Sequence, residues 1–229
     1  MKSLSHPTLL SAGKSKITIL SKPTSIRSES YRTLRINIEF LAVDREMKTI
    51  VVTSSMRGEG KTATTLNLAI AYAQAGKKVL LIDADLRKPG VHLMFEGDNS
   101  CGLTNFLANQ STVSEAIQNT DIPNLFIITS GPIPPNPSEL LNSQRIDTLL
   151  DEIKSDYDVV IIDTPPILGF IEAKMLAAKS SGVLLVLEHG MVKRTVAKRV
   201  KDELSSVKAN LLGIVMNKMN KKGMAIYHR

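Results

Sequence analysis

The chain has 229 residues, 43% hydrophobic and 22% charged, a balance that suits one large globular domain or a domain with an extension. Trp is absent and aromatics are only 4%, so the core has to be aliphatic; the single Cys101 excludes an internal disulfide and fits a reducing compartment. The formal net charge of +7 gathers late in the chain, at Lys193, Arg194, Lys198, Arg199 and Lys201 and then at Lys218, Lys221, Lys222, His228 and Arg229. Such a surface suits an anionic partner or a plain solvated face, and the lack of interleaved aromatics argues against nucleic acid.

In chain order, Met1 to about Ser25 is polar, carries Pro7 and Pro23, and reads as an arm without the charged-then-apolar pattern of a signal peptide. From Ser28 to about Val43 the pattern is helical, with Ser28 as the expected cap and Tyr31, Leu34, Ile38 and Leu41 as one apolar stripe. Short apolar runs then alternate with helical stretches: Ile50–Val52, Val79–Ile82, Leu125–Ile128, Val159–Ile162, Val183–Leu187 and Leu211–Met216. Their brevity and β-branched content predict buried parallel strands, and the alternation predicts a doubly wound α/β sheet. The helix Ala63–Gln74 has almost no polar face and is expected to be buried, ended by Gly76. No run of 18 or more predominantly apolar residues occurs, so no segment is expected to span a membrane. The resulting division is an arm (1–25), a domain (26–217) and a basic tail (218–229).

Between the first run and the buried helix lies Arg57-Gly58-Glu59-Gly60-Lys61-Thr62. A strand, a glycine turn ending in Gly-Lys-Thr and a helix form a phosphate-binding loop. The glycines let the backbone curl so that successive N–H groups face phosphate oxygens, and the helix adds a partly positive terminus. Lys61 brings a full charge and the Thr62 hydroxyl is placed to ligate Mg²⁺. The candidate nucleotide contacts are Ser55, Met56, Arg57, Gly58, Glu59, Gly60, Lys61 and Thr62, with Ser55 standing where such loops usually begin with glycine. The second run ends in Asp83-Ala84-Asp85 and the fourth in Asp163-Thr164-Pro165-Pro166, so three aspartates fall at the strand ends where α/β sheets bind ligands. Asp163 has the form of a Mg²⁺-holding carboxylate.

These motifs, with Ile82-Asp83-Ala84-Asp85-Leu86-Arg87-Lys88-Pro89 and the stretch Thr129 to Leu141 (TSGPIPPNPSELL), resemble the bacterial tyrosine kinases of the capsule and exopolysaccharide systems, P-loop proteins related to the MinD/ParA ATPases. The resemblance runs from about Lys22 to Asn217. It implies an ATP- and Mg²⁺-dependent protein-tyrosine kinase in which Lys61 binds phosphates, Thr62, Asp85 and Asp163 organise the metal, and Asp83 accepts the acceptor tyrosine's proton. Asn217 matches the adenine-contacting position, the reading preferred over a residue that simply ends a strand. Glu29, Arg32 and Arg35 match an ExxRxxR assembly signature, implying a homo-oligomeric ring in which one subunit's tail enters its neighbour's site; as charges alone they read as a salt-bridged helix face. Tyr227, the tail's one tyrosine, is then the expected autophosphorylation site. The resemblance further implies a cytoplasmic protein recruited to the inner face of the membrane by a membrane-embedded activator with a cytosolic tail. Two departures stand out: Arg57 replaces the family's usual proline, and residues 223–229 hold one tyrosine where the family has a cluster, which reads as a reduced cluster, a sequence that stops short of it, or weak tail phosphorylation. A MinD/ParA-like ATPase switch and a nucleotide-holding scaffold without turnover are the rival readings.

Overall fold

The computed structural model describes residues 17–41, 47–95 and 97–219. In chain order they form Thr18–Ser21 (α1), Ile26–Leu41 (α2), Thr49–Ser54 (β1), Lys61–Gln74 (α3), Val79–Asp83 (β2), Val91–Phe95 (α4), Leu103–Leu107 (α5) and Val113–Ala116 (α6). There follow Ile117–Asn119 (β3), Leu125–Ile128 (β4), Pro137–Leu141 (α7), Gln144–Asp156 (α8), Val159–Asp163 (β5), Ile171–Lys179 (α9), Gly182–Glu188 (β6), Arg194–Ser206 (α10) and Leu211–Asn217 (β7). The strands make one sheet in the order β3-β4-β2-β5-β1-β6-β7, parallel throughout except where β3 runs against β4. This is the doubly wound, mainly parallel sheet expected from the alternation of apolar runs and helices.

Alternate strand residues enter two separate cores. Ile50 and Val52 of β1 join Val79 and Leu81 of β2 beneath α1, α2 and α3; Val51, Leu80 and Ile82 point to the other face, with α5, α8, α9 and α10. Burial on both faces explains why the strands read as unbroken apolar runs. Helix α3 lies between the sheet and α2, and every residue from Thr64 to Ala73 is buried, which accounts for its missing polar face. Gly76 adopts φ +81 just after it, a conformation that stops a helix cheaply only at glycine.

Four local expectations change. The helix starts at Ile26, so Ser28 does not cap it: the Ser25 hydroxyl accepts from Ser28 N–H (3.2 Å), while buried Ser28 donates its own hydroxyl to the Lys22 carbonyl (2.6 Å). Of the apolar stripe, Tyr31, Leu34 and Ile38 pack inward but Leu41 is 54% exposed. Residues 17–21, read as part of a polar arm, form a packed turn with Ile17 and Ile19 buried and Ile19 N–H bonded to the Asn67 side chain on α3 (2.9 Å). Strand β7 is an edge rather than a buried strand, with Ile214 and Met216 exposed.

The topology positions the site. In the sheet β2, β5 and β1 are consecutive, so the loops leaving their C-terminal ends are neighbours in space though far apart in sequence. Register places Asp83 directly beside Asp163, and Asp163 beside Val52 at the root of the loop before α3.

Candidate active site

The turn between β1 and α3 is rolled around its own glutamate. Glu59 is buried; the Ser55 hydroxyl donates to its carboxylate (2.9 Å to each oxygen), as does Met56 N–H (2.9 Å). Ser55, where a glycine was expected, therefore has a specific partner. Gly58 and Gly60 take φ +88 and +91, the left-handed region that β-carbons disfavour. Gly60 is doubly constrained, since an added Cβ would lie 2.0 Å from Asn217 Nδ2. That amide donates to the Glu59 carbonyl (2.8 Å), so the end of β7 braces the turn from across the sheet. Gly60 then opens α3, leaving Lys61 and Thr62 in its first turn.

Lys61 Nζ lies 2.7 Å from Asp85 Oδ2 and 3.4 Å from Asp163 Oδ2. The Thr62 hydroxyl donates to Asp163 Oδ2 (2.6 Å), and the Thr65 hydroxyl, one turn on, to Asp163 Oδ1 (3.0 Å). Asp83 Oδ2 accepts from the N–H groups of Gly90 and Val91 (2.9 Å each) and Oδ1 from Asp85 N–H (3.2 Å). The sequence therefore brings Lys61, Thr62, Asp83, Asp85 and Asp163 into one cluster, as expected.

The electrostatics follow from burying three carboxylates beside one ammonium. Burial, reinforced by the charge of Asp163, pushes Asp83 up to about 7, against the stabilising N–H groups of Val91 and Gly90 and the charge of Lys61. Asp163 is also raised, mainly by burial, with Lys61 and the Thr62 hydroxyl opposing. For Lys61, burial favours the neutral amine, but the carboxylates of Asp163, Asp85 and Asp83 together outweigh it and the net shift is upward. Lys61 is thus a firmly held cation.

This donor set fits Mg²⁺–nucleotide chemistry. Among the described residues no group of three or more His, Cys, Asp or Glu is arranged to hold a metal unaided. Mg²⁺ is commonly bound by one or two carboxylates completed by phosphate and water, and Asp163 and Asp85, with the Thr62 hydroxyl, supply such a partial set.

Other expected residues sit apart. Glu29 pairs with Arg32, whose guanidinium also donates to the Pro23 carbonyl (2.9 Å); Arg35 pairs with Glu39 (2.7 Å). In the single chain these charges are paired within and beside α2, with the buried Nε of Arg35 left without a hydrogen-bond partner among the described residues, and are not brought to the phosphate site. Tyr227 lies outside the described residues. Sequence reading missed Thr65 as a carboxylate partner, although its place three residues after Thr62 puts both on one helix face. It also missed the inward role of the Glu59 side chain, and Phe170, whose ring lies under the guanidinium of Arg57 (5.0 Å to the centroid).

Comparison with known proteins is decisive on kinship. A family model described as an AAA domain matches residues 47–193. Tyrosine-protein kinase YwqD of Bacillus subtilis (strain 168) is 47% identical over 201 residues, covering 88% of this chain and 85% of that protein. The chain belongs to the bacterial tyrosine-protein kinases. The kinase domain of the Escherichia coli tyrosine kinase ETK superposes with a TM-score of 0.87 at 30% identity, covering 96% of this chain and 83% of that one. The septum site-determining protein MinD from Pyrococcus horikoshii OT3, solved with Mg-ADP, shares the fold alone: its TM-score is 0.66 at 24% identity, over 77% of this chain and 73% of that one. This family's P-loop ATPase fold is therefore that of the tyrosine kinases on a MinD-like framework.

Proposed function

We propose that the chain transfers the γ-phosphoryl group of ATP to tyrosine, phosphorylates its own tail in trans at Tyr227, and thereby regulates capsular or exopolysaccharide synthesis. The observation that carries the chemistry is the cluster at the strand ends: Lys61 and Thr62 in the first turn of α3, against Asp85 and Asp163, with Asp83 in register beside them. In this reading the phenolic oxygen attacks the γ-phosphorus, the bond to the β-phosphate oxygen breaks, ADP leaves and the phenolic proton goes to Asp83. Three N–H groups occupy the Asp83 carboxylate, which has about four acceptor sites, so Oδ1 keeps one free for that proton. Asp83 is fully enclosed, and the role requires residues 84–90 to yield as the acceptor enters. Its raised pKa, near 7, suits a base that works at neutral pH. Lys61 and the turn amides hold the phosphates, and Asn217 contacts adenine while bracing the turn. Thr62, Asp85 and Asp163 would hold Mg²⁺, which would supply positive charge against the phosphates.

Glu29, Arg32 and Arg35 assemble the ring by exchanging their pairs within the helix for pairs with a neighbour. Among the described residues no helix is long and apolar enough to cross a membrane, so recruitment to the membrane's inner face falls to an embedded activator whose cytosolic tail docks on the kinase. Incubation with γ-labelled ATP and Mg²⁺, with and without that tail, followed by phosphosite mapping, tests the reading. Label on protein supports a kinase; label released only as free phosphate indicates a MinD/ParA-like switch, and no turnover with the activator present indicates a scaffold.

A further inference from the structure

Three loops at the mouth of the site converge on one ring. The guanidinium of Arg57, from the loop after β1, lies 5.0 Å from the centroid of Phe170, and that of Arg87, from the loop after β2, lies 5.1 Å from it. Phe170 ends the loop after β5 and immediately precedes α9. Since β2, β5 and β1 are adjacent, the ring spans the strands whose ends carry Asp83, Asp163 and the phosphate turn. Lys61 and α3 lie on the α2 face of the sheet; α9 lies on the opposite face. The ring and its two cations therefore border the transfer centre on the side away from the phosphate turn's helix.

The two cations differ in how they are compensated. Arg87 donates through Nε and Nη2 to Glu172 Oε1 (2.9 and 2.8 Å), and Glu172 is 1% exposed. Among the described residues no carboxylate pairs with Arg57, which is exposed. As a purely stabilising device the arrangement opposes itself, because two like charges crowd one ring. As a recognition device it is well made: the ring holds weakly hydrated, planar guanidiniums, Glu172 fixes that of Arg87, and the donor fork of Arg57 stays available for a carboxylate.

We propose that Arg57, Phe170 and Arg87 form an acceptor-reading rim that binds an acidic side chain next to the tyrosine being phosphorylated. The proposal rests on the kinase reading of the adjoining site and names its preferred substrate class. Residues 218–229 contain Lys218, Lys221, Lys222 and Arg229 but no Asp or Glu. Residues 218–229 are therefore not the segment the rim selects; acidic tyrosine segments are.

The test compares two fluorescent peptides of equal length with one tyrosine each, one flanked by Glu and the other by Gln, binding to the full chain saturated with Mg–ADP. Anisotropy should show wild type preferring the Glu peptide by about tenfold, as one charge-assisted, partly desolvated contact allows, with the preference shrinking as salt rises. Arg57→Gln should remove most of that preference, Arg57→Lys should keep part of it, and Phe170→Leu should reduce it without changing Mg–ADP affinity. Equal binding of the two peptides by wild type, or binding of neither, overturns the proposal. So does an Arg57→Gln variant whose Mg–ADP affinity falls more than its affinity for the Glu peptide, since Arg57 would then serve the nucleotide. Peptide discrimination without phosphate transfer to either peptide, with the activator tail present, leaves the rim standing and removes the kinase reading instead.

Discussion

Replacing Asp83 with Asn probes the stability and the chemistry of the site together. In the fold, burial and the neighbouring Asp163 push the Asp83 carboxyl up to about 7, whereas in an unfolded chain it titrates at about 3.9. Between those values the folded state holds the proton that the unfolded state has released, so stability falls as pH rises through the window from about 4 to about 7. The loss is about 1.4 kcal/mol per pH unit, roughly 4 kcal/mol across the window, and is complete above it. Asn has no proton to lose and removes this slope. It also has a price at low pH: its single carbonyl oxygen serves Gly90 and Val91, but its NH₂ then faces Asp85 N–H, a mismatch of about 1–2 kcal/mol.

Asp83→Asn should therefore be about as stable as wild type at pH 5 and more stable than wild type by about 2–3 kcal/mol at pH 8. Urea denaturation of both proteins at both pH values reads this out. A wild-type-to-variant difference that is the same at pH 5 and pH 8 would refute the burial argument. If Asp83 also accepts the phenolic proton, transfer in the variant should fall by about 10²–10⁴, with nucleotide affinity changed only a few-fold. Transfer within tenfold of wild type would assign the base elsewhere.

Lys61→Met should lower transfer by about 10²–10³, a loss of some 3–4 kcal/mol of transition-state stabilisation. Because it strips the paired cation from Asp85 and Asp163, it should also lower the unfolding midpoint more at pH 8 than at pH 6, and an equal loss at both would argue against that pairing. Asn217→Ala should weaken ATP and GTP binding alike if the side chain acts only through the Glu59 carbonyl, and should erase the preference for ATP if it also contacts adenine; calorimetric affinities for both nucleotides decide. The double variant Arg32→Ala, Arg35→Ala should reduce the mass seen by light scattering at a concentration where wild type assembles, and an unchanged mass removes the assembly role of α2. Tyr227→Phe should lose most incorporated phosphate in a trans-phosphorylation assay, and retention of most of it would place the main site at another tyrosine.

The sequence was legible where structure or chemistry is tied to neighbouring residues. Parallel strands buried on both faces have to be continuous apolar runs, so β1, β2, β4, β5, β6 and β7 announced themselves. Edge position did not: Leu211–Met216 reads like the others, yet nothing covers one side of β7 among the described residues. β3 is three residues long and contains only one apolar residue, Ile117, so it lacked any periodic signal. The same locality governs the site. Gly-Lys-Thr and the aspartates closing β2 and β5 carry fixed roles at fixed places in the chain. The Asn217–Glu59 bond joins residues 158 apart, and the convergence of Arg57, Arg87 and Phe170 depends on which strands the sheet makes adjacent. Glu59 shows a third limit, because its spacing from Ser55 is local but only the left-handed glycines on either side turn its carboxylate inward.

The bonds within the cluster also explain why a phosphate site should contain so many carboxylates. In the free chain Lys61 is held by Asp85 and Asp163, and the Thr62 hydroxyl is given to Asp163, so each group that would serve a nucleotide already serves another. Phosphate oxygens arriving alone must compete with Asp85 for Lys61 while facing the charges of Asp163 and Asp85. At about 4 Å and an effective dielectric near 20, each such like-charge contact opposes binding by about 4 kcal/mol. On the proposed kinase reading, Asp85 and Asp163 would be ligands of a divalent cation, whose charge would offset those contacts and leave Lys61 to the phosphates. On that reading the carboxylates make nucleotide binding conditional on the metal, and in the free chain they keep Lys61 charged and placed. Asp83 stands slightly apart from this exchange, enclosed by backbone N–H groups and half protonated near neutrality. On the proposed kinase reading, that makes Asp83 the carboxylate of the three that takes up a proton during transfer, since Asp85 and Asp163 would be committed to the metal.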